Sequence, residues 1–191
     1  MAPDFATKPT LHGRLVTLRP FRADDVEEMA RVLSDPEVRR LTGSVESTAE
    51  AERAQPVDDR LHDWYASRND QADRLDLAID DVATGRLVGE VVLNEVDLDA
   101  LTCNLRVLVG PEGRDRGLGT EAVAMATAHG IEVLGLRRIT LEVLEFNPRG
   151  RRVYEKVGYS VTGVRPGALV FDGVAVGAVD MAVDADTCAG R

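Results

Sequence analysis

The sequence predicts one α/β domain built on a mixed, largely antiparallel sheet. Three observations lead there. The 191 residues suffice for one sizeable core and are short for two. Three strand-like runs, 74–81, 86–97 and 100–109, follow one another across short turns, as in an antiparallel meander. A strand–helix–strand crossover and a closing pair of strands then follow, and a crossover adds a parallel pair. No internal repeat or low-complexity tract competes with this reading.

Each element has a local reason. "RLVTLRPF" (14–21) alternates as an edge-type strand stopped by Pro20. "DDVEEMARVLSD" (24–35) sets Val26, Met29, Ala30, Val32 and Leu33 at helical spacing. Ser47 and Glu50 have capping-box spacing, so a helix starts there, and Pro56 must interrupt or restart it. Over 57–69, Val57, Leu61, Trp64 and Tyr65 share one helical side. "VATG" (82–85) and the acidic "DLD" (97–99) turn the meander. A helix over 118–134 follows a glycine-rich loop, and "RRITLEVLEF" (137–146) reads as a buried strand. Pro148 suits the first position of a helix that runs to Val157 and ends at Gly158. Strands near 159–165 and 174–183, joined through "RPGALVFDG", close the chain. The predicted order is β-α-α-β-β-β-α-β-α-β-β. Residues 1–10 read as a flexible N-terminus, 11–183 as the domain and 184–191 as a tail.

Composition narrows the function. The net charge of −10 argues against nucleic acid or an anionic membrane as partner and favours cationic ones. The charge is uneven: residues 110–158 hold eight basic side chains against seven acidic, a net +1 that leaves −11 on the rest. No run approaches the roughly 20 apolar residues of a membrane span, and the first ten residues lack a secretory pattern. Cys103 and Cys188 stand far apart with no metal-like spacing to His12, His62 or His129. No metal site is expected, and a reducing cytoplasm is the default.

The stretch "GRDRGLGTEA" (113–122) carries the chemistry. Gly117 and Gly119 fall where a strand ends and a helix begins. Glycine lets a ligand approach the main chain, and a helix start offers unpaired N–H groups to an anion. Arg114 and Arg116 would add counter-charge. Taken alone, the glycine pair fits an unliganded βα turn better. A P-loop would need a Gly-Lys-Ser/Thr that is absent, and a dinucleotide fold would place this loop after its first strand.

Arg114-x-x-Gly117-x-Gly119 matches the Arg/Gln-x-x-Gly-x-Gly/Ala motif of the GNAT superfamily, the acetyl-CoA-dependent N-acetyltransferases. "LEVLEFNPRGRRVYEKVGYSVTG" resembles that family's fifth strand, Asn-bearing turn, fourth helix and sixth strand. "LVTLRPFRADDVEEMARVLSDPEVRRL" and "DGVAVGAVDMAV" are similar to the opening and closing stretches of the branch containing ribosomal-protein alanine N-acetyltransferases. The resemblance spans about residues 11–183. One departure is Arg22, which stands at an expected N-cap where relatives often have Thr or Ser.

The resemblance implies a GNAT-like sheet with splayed central strands and acetyl-CoA as co-substrate. It implies that the backbone of Arg114, Asp115, Arg116, Gly117, Leu118, Gly119 and Thr120 binds the CoA pyrophosphate. Leu108 and Val109 would offer main-chain groups to the pantetheine arm and thioester. Asn147 would bond the pantetheine, cap its helix, or both. Arg149, Arg152 and Lys156 would reach CoA phosphates or stand as solvated helix charges. Tyr154, two helical turns after Asn147, matches the family's general acid. Glu142 resembles the base position of some members, balanced against an exposed strand carboxylate, with Glu90 an outside candidate. Trp64 and Tyr65 lie where the family shapes its acceptor site, though core packing serves them equally. His129 and His62 read as packing or solvated side chains.

The reaction implied is direct attack of a primary amine in a ternary complex. The leading acceptor is a protein N-terminal amine. Alternatives are a polyamine or aminoglycoside-like small amine, or a non-catalytic acyl-CoA-binding module. An acyl-enzyme on Cys103 is disfavoured for want of a nearby His. Dimers are common in the resembled family, so a homodimer is one possibility, and the sequence leaves the oligomeric state open.

Overall fold

The computed structural model describes residues 3–53 and 58–188. Eight strands occur among the described residues: β1 (Leu11–His12), β2 (Val16–Arg19), β3 (Leu75–Asp81), β4 (Leu87–Asp97), β5 (Thr102–Val109), β6 (Arg138–Leu144), β7 (Ser160–Phe171) and β8 (Val174–Asp184). They form one sheet in the order β1-β2-β3-β4-β5-β6-β8-β7. Every neighbouring pair is antiparallel except β5–β6. The mixed, largely antiparallel α/β sheet expected from the sequence is the fold.

Helices cover both faces. Between β2 and β3 lie α1 (Asp25–Ser34), α2 (Pro36–Leu41), α3 (Thr48–Ala51) and α4 (Asp59–Ala66). After β5 comes α5 (Leu118–Ala128), after β6 comes α6 (Pro148–Val157), and α7 (Ala185–Cys188) follows β8. Side chains alternate between sheet faces along a strand. So Leu77 and Ile79 join one core with Leu105, Ile139, Val123 of α5 and Tyr154 of α6, while Ala78 joins a second with Val26 and Met29 of α1 and Tyr65 of α4.

Several elements differ from expectation. The helix over 24–35 stops at Ser34, because Asp35 turns extended ahead of Pro36 and caps a separate α2. Asp24, not Arg22, is the N-cap of α1, and the Asp25 carboxylate accepts the Arg22 N–H at 2.6 Å. The Ser47 hydroxyl accepts the Glu50 N–H at 3.2 Å as a capping box requires, but the Glu50 carboxylate reaches the N–H of Glu46. Pro56 and Val57 lie outside the described residues. The helix over 118–134 ends its α-helical part at Ala128 and finishes as a π-helical turn over His129–Val133. β7 runs straight through "RPGALVF", absorbing it in a bulge between Arg165 and Leu169. The hairpin turns instead at Asp172-Gly173, both left-handed at φ 49° and 76°.

Buried and half-buried carboxylates pin the elements together. Arg19 donates to both oxygens of Asp25 at 2.6 and 2.8 Å and to both of Asp80 at 2.6 and 2.9 Å, joining α1 to β2 and β3. Glu121 of α5 accepts the N–H groups of Leu15 and Val16 at 2.6 and 2.8 Å, fastening α5 to the start of β2. Removing one partner of a buried pair strands the other charge. Asp25→Ala is therefore expected to cost about 3 kcal/mol, read as a lowered urea midpoint. A loss below about 1 kcal/mol would show that Asp80 alone satisfies Arg19.

Candidate active site

β5 and β6 pair over three residues only, Thr102–Asn104 against Arg138–Thr140. Beyond that point β5 stays with β4 to Val109, and β6 stays with β8 to Leu144. The strands therefore part, and a cleft of about 660 Å³ opens between them. One wall is β5 from Asn104 to Val109, one end is the loop from Gly113 to Thr120, and the facing wall is α6. Val38 and Leu41 of α2 and Thr42, its C-cap, complete it.

The loop is shaped for an anion. Asp115 and Gly117 are both left-handed, at φ 58° and 81°. Gly117 is the N-cap of α5 and, lacking a side chain, claims none of the first-turn N–H groups. The amides of Leu118, Gly119 and Thr120 have no intrahelical acceptor and are left to a ligand. A bare main chain at the end of a long cleft fits the diphosphate and arm of CoA.

Most of the expected residues line this cleft: Leu108 and Val109 on β5, Arg114, Asp115, Gly117, Gly119 and Thr120 in the loop, and Glu142 on β6. Asn147, Arg149, Arg152, Tyr154 and Lys156 line it from α6. Two do not. The Arg116 guanidinium turns away and donates to Asp81 at 2.8 Å, drawn by a carboxylate buried under the β3–β4 turn. The Leu118 side chain is buried in the core, so only its backbone is available to a ligand. Arg114 and Arg149 line the cleft but are ion-paired, Arg114 to Asp35 and Glu37, Arg149 to Glu37 and Asp115. Arg152 and Lys156 are exposed and make no ion pair among the described residues.

Asn147 does cap α6: its Oδ1 accepts the Gly150 N–H at 2.8 Å, which leaves Nδ2 as a donor. Tyr154 is buried on α6, packed edge-on against Tyr159 with centroids 6.1 Å apart. Burial pushes its phenol up to about 12, so it stays protonated at neutral pH and can donate. Its hydroxyl makes no protein hydrogen bond among the described residues.

The two candidate bases differ sharply. Glu142 is 47% exposed and ion-paired to Arg165, which also holds Asp180. Glu90 lies on β4 across from Leu108, on the sheet face covered by α1 and α4. Burial, reinforced by the charge of Asp76, raises its carboxyl to about 7, against the opposing pull of Tyr65, Arg106 and Arg74. The Tyr65 hydroxyl donates to it at 3.2 Å. Tyr65 thus turns inward, whereas Trp64 is 52% exposed, stacked on Arg68 at 3.7 Å, in a groove between α1 and α4.

Cys103 is buried, and burial raises its thiol to about 12, so it offers no thiolate. His129 sits in the π-turn after α5, where burial lowers its pKa; His62 lies on exposed α4 surface 4.0 Å from Glu27. Among the described residues no group of three or more His, Cys, Asp or Glu is placed to hold a metal, and no helix is long and apolar enough to cross a membrane.

Residues 15–160 match the family described as an acetyltransferase (GNAT) domain. The chain belongs to the GNAT acetyltransferases. Its relatives include spermidine N(1)-acetyltransferase of Escherichia coli (strain K12), 28% identical over 81% of this chain and 77% of that protein. Human alpha/beta-tubulin-N-acetyltransferase 9 is 27% identical over 78% of this chain and 74% of that protein. The spermidine N-acetyltransferase of Vibrio cholerae, solved with CoA and spermine, superposes with a TM-score of 0.79 at 18% identity, over 92% of this chain and 98% of that one. This last likeness is one of fold. The protein is an N-acetyltransferase that uses acetyl-CoA as co-substrate, and the branch shared with the relatives is GNAT as a whole rather than the ribosomal-protein alanine group alone.

Sequence reasoning missed Glu37 as a neighbour of Arg114 and Arg149; an acidic residue beside Pro36 carries no signal for a partner 77 or 112 positions away. If the loop backbone holds the diphosphate, Gly117→Ala forces a methyl-bearing residue into the left-handed region. That costs about 1–2 kcal/mol and weakens CoA binding roughly tenfold. Isothermal titration checks it, and unchanged affinity removes the loop from the binding site.

Proposed function

We propose that this GNAT acetyltransferase acetylates a small polycationic amine, by direct attack on acetyl-CoA in a ternary complex. The observation that carries the reading is the pairing of a main-chain-lined cleft, with Tyr154 on one wall, with a glutamate poised near neutrality behind the other. The spermidine-named relatives and the net charge of −10 support a polyamine over a neutral acceptor. A second reading, a protein N-terminal amine of the ribosomal-protein alanine type, rests on the opening and closing stretches of the sequence. The tubulin-named relative supports a protein acceptor in general.

The chemistry divides among named groups. A protonated amine is no nucleophile, so a base must take its proton. Glu90 fills that role better than Glu142, because its carboxyl titrates near neutrality while Glu142 is exposed and held by Arg165. Glu90 stands one strand behind the wall, and the proton reaches it through an intervening water. β5 beyond Asn104 has lost its β6 partner, and its inward amides can stabilise the developing oxyanion. Tyr154 protonates the leaving thiolate. Arg152 and Lys156, the unpaired cations of α6, meet the cofactor's phosphates, with Arg149 and Arg114 joining once released from their carboxylates.

A panel comparing CoA release with spermidine, spermine, an aminoglycoside and Ala-initiated peptides tests the acceptor. Turnover confined to the peptides overturns the polyamine reading. Tyr154→Phe should lower kcat by about 10²-fold while leaving the Kd for CoA within about twofold; unchanged turnover removes its role. The pH profile separates the bases. The carboxyl raised to about 7 must be ionised to act, so kcat/KM should rise through about pH 7 and level above it. Glu90→Gln should abolish that limb and cost about 10²-fold, whereas Glu142→Gln should leave it in place. A limb that survives in Glu90→Gln assigns the base elsewhere.

A further inference from the structure

Glu37, in the first turn of α2, stands between the two arginines of the cleft wall. Its Oε2 accepts from Arg114 Nη1 at 2.7 Å, and its Oε1 accepts from Arg149 Nη2 at 2.7 Å. Asp35 accepts from the other amino group of Arg114. One carboxylate therefore ties the glycine loop to the start of α6, the two sides of the cleft's entrance. The helix that presents it is well held, since Asp35 also accepts the Val38 N–H at 2.8 Å. One to five residues further on, Val38, Leu41 and Thr42 line the cleft.

The arrangement sets up a competition. Both terminal amino groups of Arg114 are engaged, so a phosphate reaching that guanidinium must displace a carboxylate or sit against its negative charge. Glu37 is the weaker holder. Its side chain is 44% exposed and its Arg149 partner 36%, against 13% and 16% for Arg114 and Asp35. Solvent screens exposed pairs more than shielded ones, so Glu37 yields first.

We propose that Glu37 is a carboxylate latch that competes with the cofactor's phosphates for Arg114 and Arg149. The proposal rests on the reading of the cleft as the CoA site. A competing internal anion lowers cofactor affinity and speeds release of the product CoA. Because α2 carries Val38, Leu41 and Thr42, displacing Glu37 also loosens part of the cleft wall, so cofactor binding and the shape of the acceptor side are coupled.

Titration of the full chain with CoA tests the latch, using wild type, Glu37→Gln and Glu28→Gln. Glu28→Gln removes the same charge from α1, where its partners are Arg31 and Arg86 outside the cleft. Glu37→Gln should bind CoA roughly fivefold more tightly, and Glu28→Gln should match wild type. Pantetheine, which has no phosphate, should bind both variants and wild type alike. The gain should shrink in 1 M salt, where the screening length falls to about 3 Å. Weaker or unchanged CoA binding by Glu37→Gln, with an unaltered unfolding midpoint, would show that Glu37 props the arginines rather than competing for them. An equal gain for pantetheine would also overturn the latch. Wild-type protein that binds no CoA would overturn the cofactor reading itself, a result distinct from all of these.

Discussion

The parting of β5 from β6 is the constraint on which the rest depends. These are the parallel neighbours of an otherwise antiparallel sheet, and they share only three register pairs. Each strand then follows its other partner, β5 with β4 and β6 with β8. A sheet opened in this way turns main-chain groups that would have been spent on a ladder toward a cleft. The helices after β5 and β6 start at opposite sides of the opening, so the glycine loop and Asn147 are both delivered to it by chain connectivity. Tyr154 follows because it lies two turns down α6, buried in the core at the cleft wall.

Charge is organised by the same division. The locally basic segment supplies the cleft, and carboxylates from the first half of the chain and from the segment itself control it. Asp35 and Glu37 restrain Arg114 and Arg149, Asp81 removes Arg116, and Glu121 anchors α5 through the backbone of residues 14–16. On the opposite face Tyr65, Asp76 and Arg74 set the surroundings of Glu90 and keep its proton affinity near neutrality. A count of arginines overstates the cationic character of the cleft, since Arg114 and Arg149 are held by carboxylates and Arg116 is turned away, leaving Arg106, Arg152 and Lys156 as the lining cations without an ion pair among the described residues.

Much of the fold was legible because its signals are local. The meander, the helix start at Asn147-Pro148 and the cap at Gly158 each follow from a few adjacent residues. The error at 166–173 is instructive: Pro166-Gly167 reads as a break, yet an edge strand tolerates both in a bulge, and Asp172-Gly173, five residues further on, is the stronger turn signal. The division of the first helix at Asp35-Pro36 was likewise readable from the proline rule and was passed over. Among the residues lining the cleft, the loop, Asn147 and Tyr154 are those that register with the family's motifs singles out. Arg116 looked identical to Arg114 in sequence and separates from it only through Asp81, 35 residues upstream.

By itself, then, the sequence determined the seven longer strands and the helices after β5 and β6, the glycine loop at a helix start and the spacing from Asn147 to Tyr154, but not the two-residue β1, the division into α1 to α4, or α7. All of these depend on contacts within a few turns of chain, where residue type and backbone geometry suffice. Tertiary structure alone decided which arginines face the cleft, which glutamate is buried beside a tyrosine, and that Glu37 closes on Arg149 across 112 residues. Those outcomes depend on burial and on distances between remote segments. Neither is encoded locally, because a carboxylate's charge state and partners are set by what the folded chain packs around it.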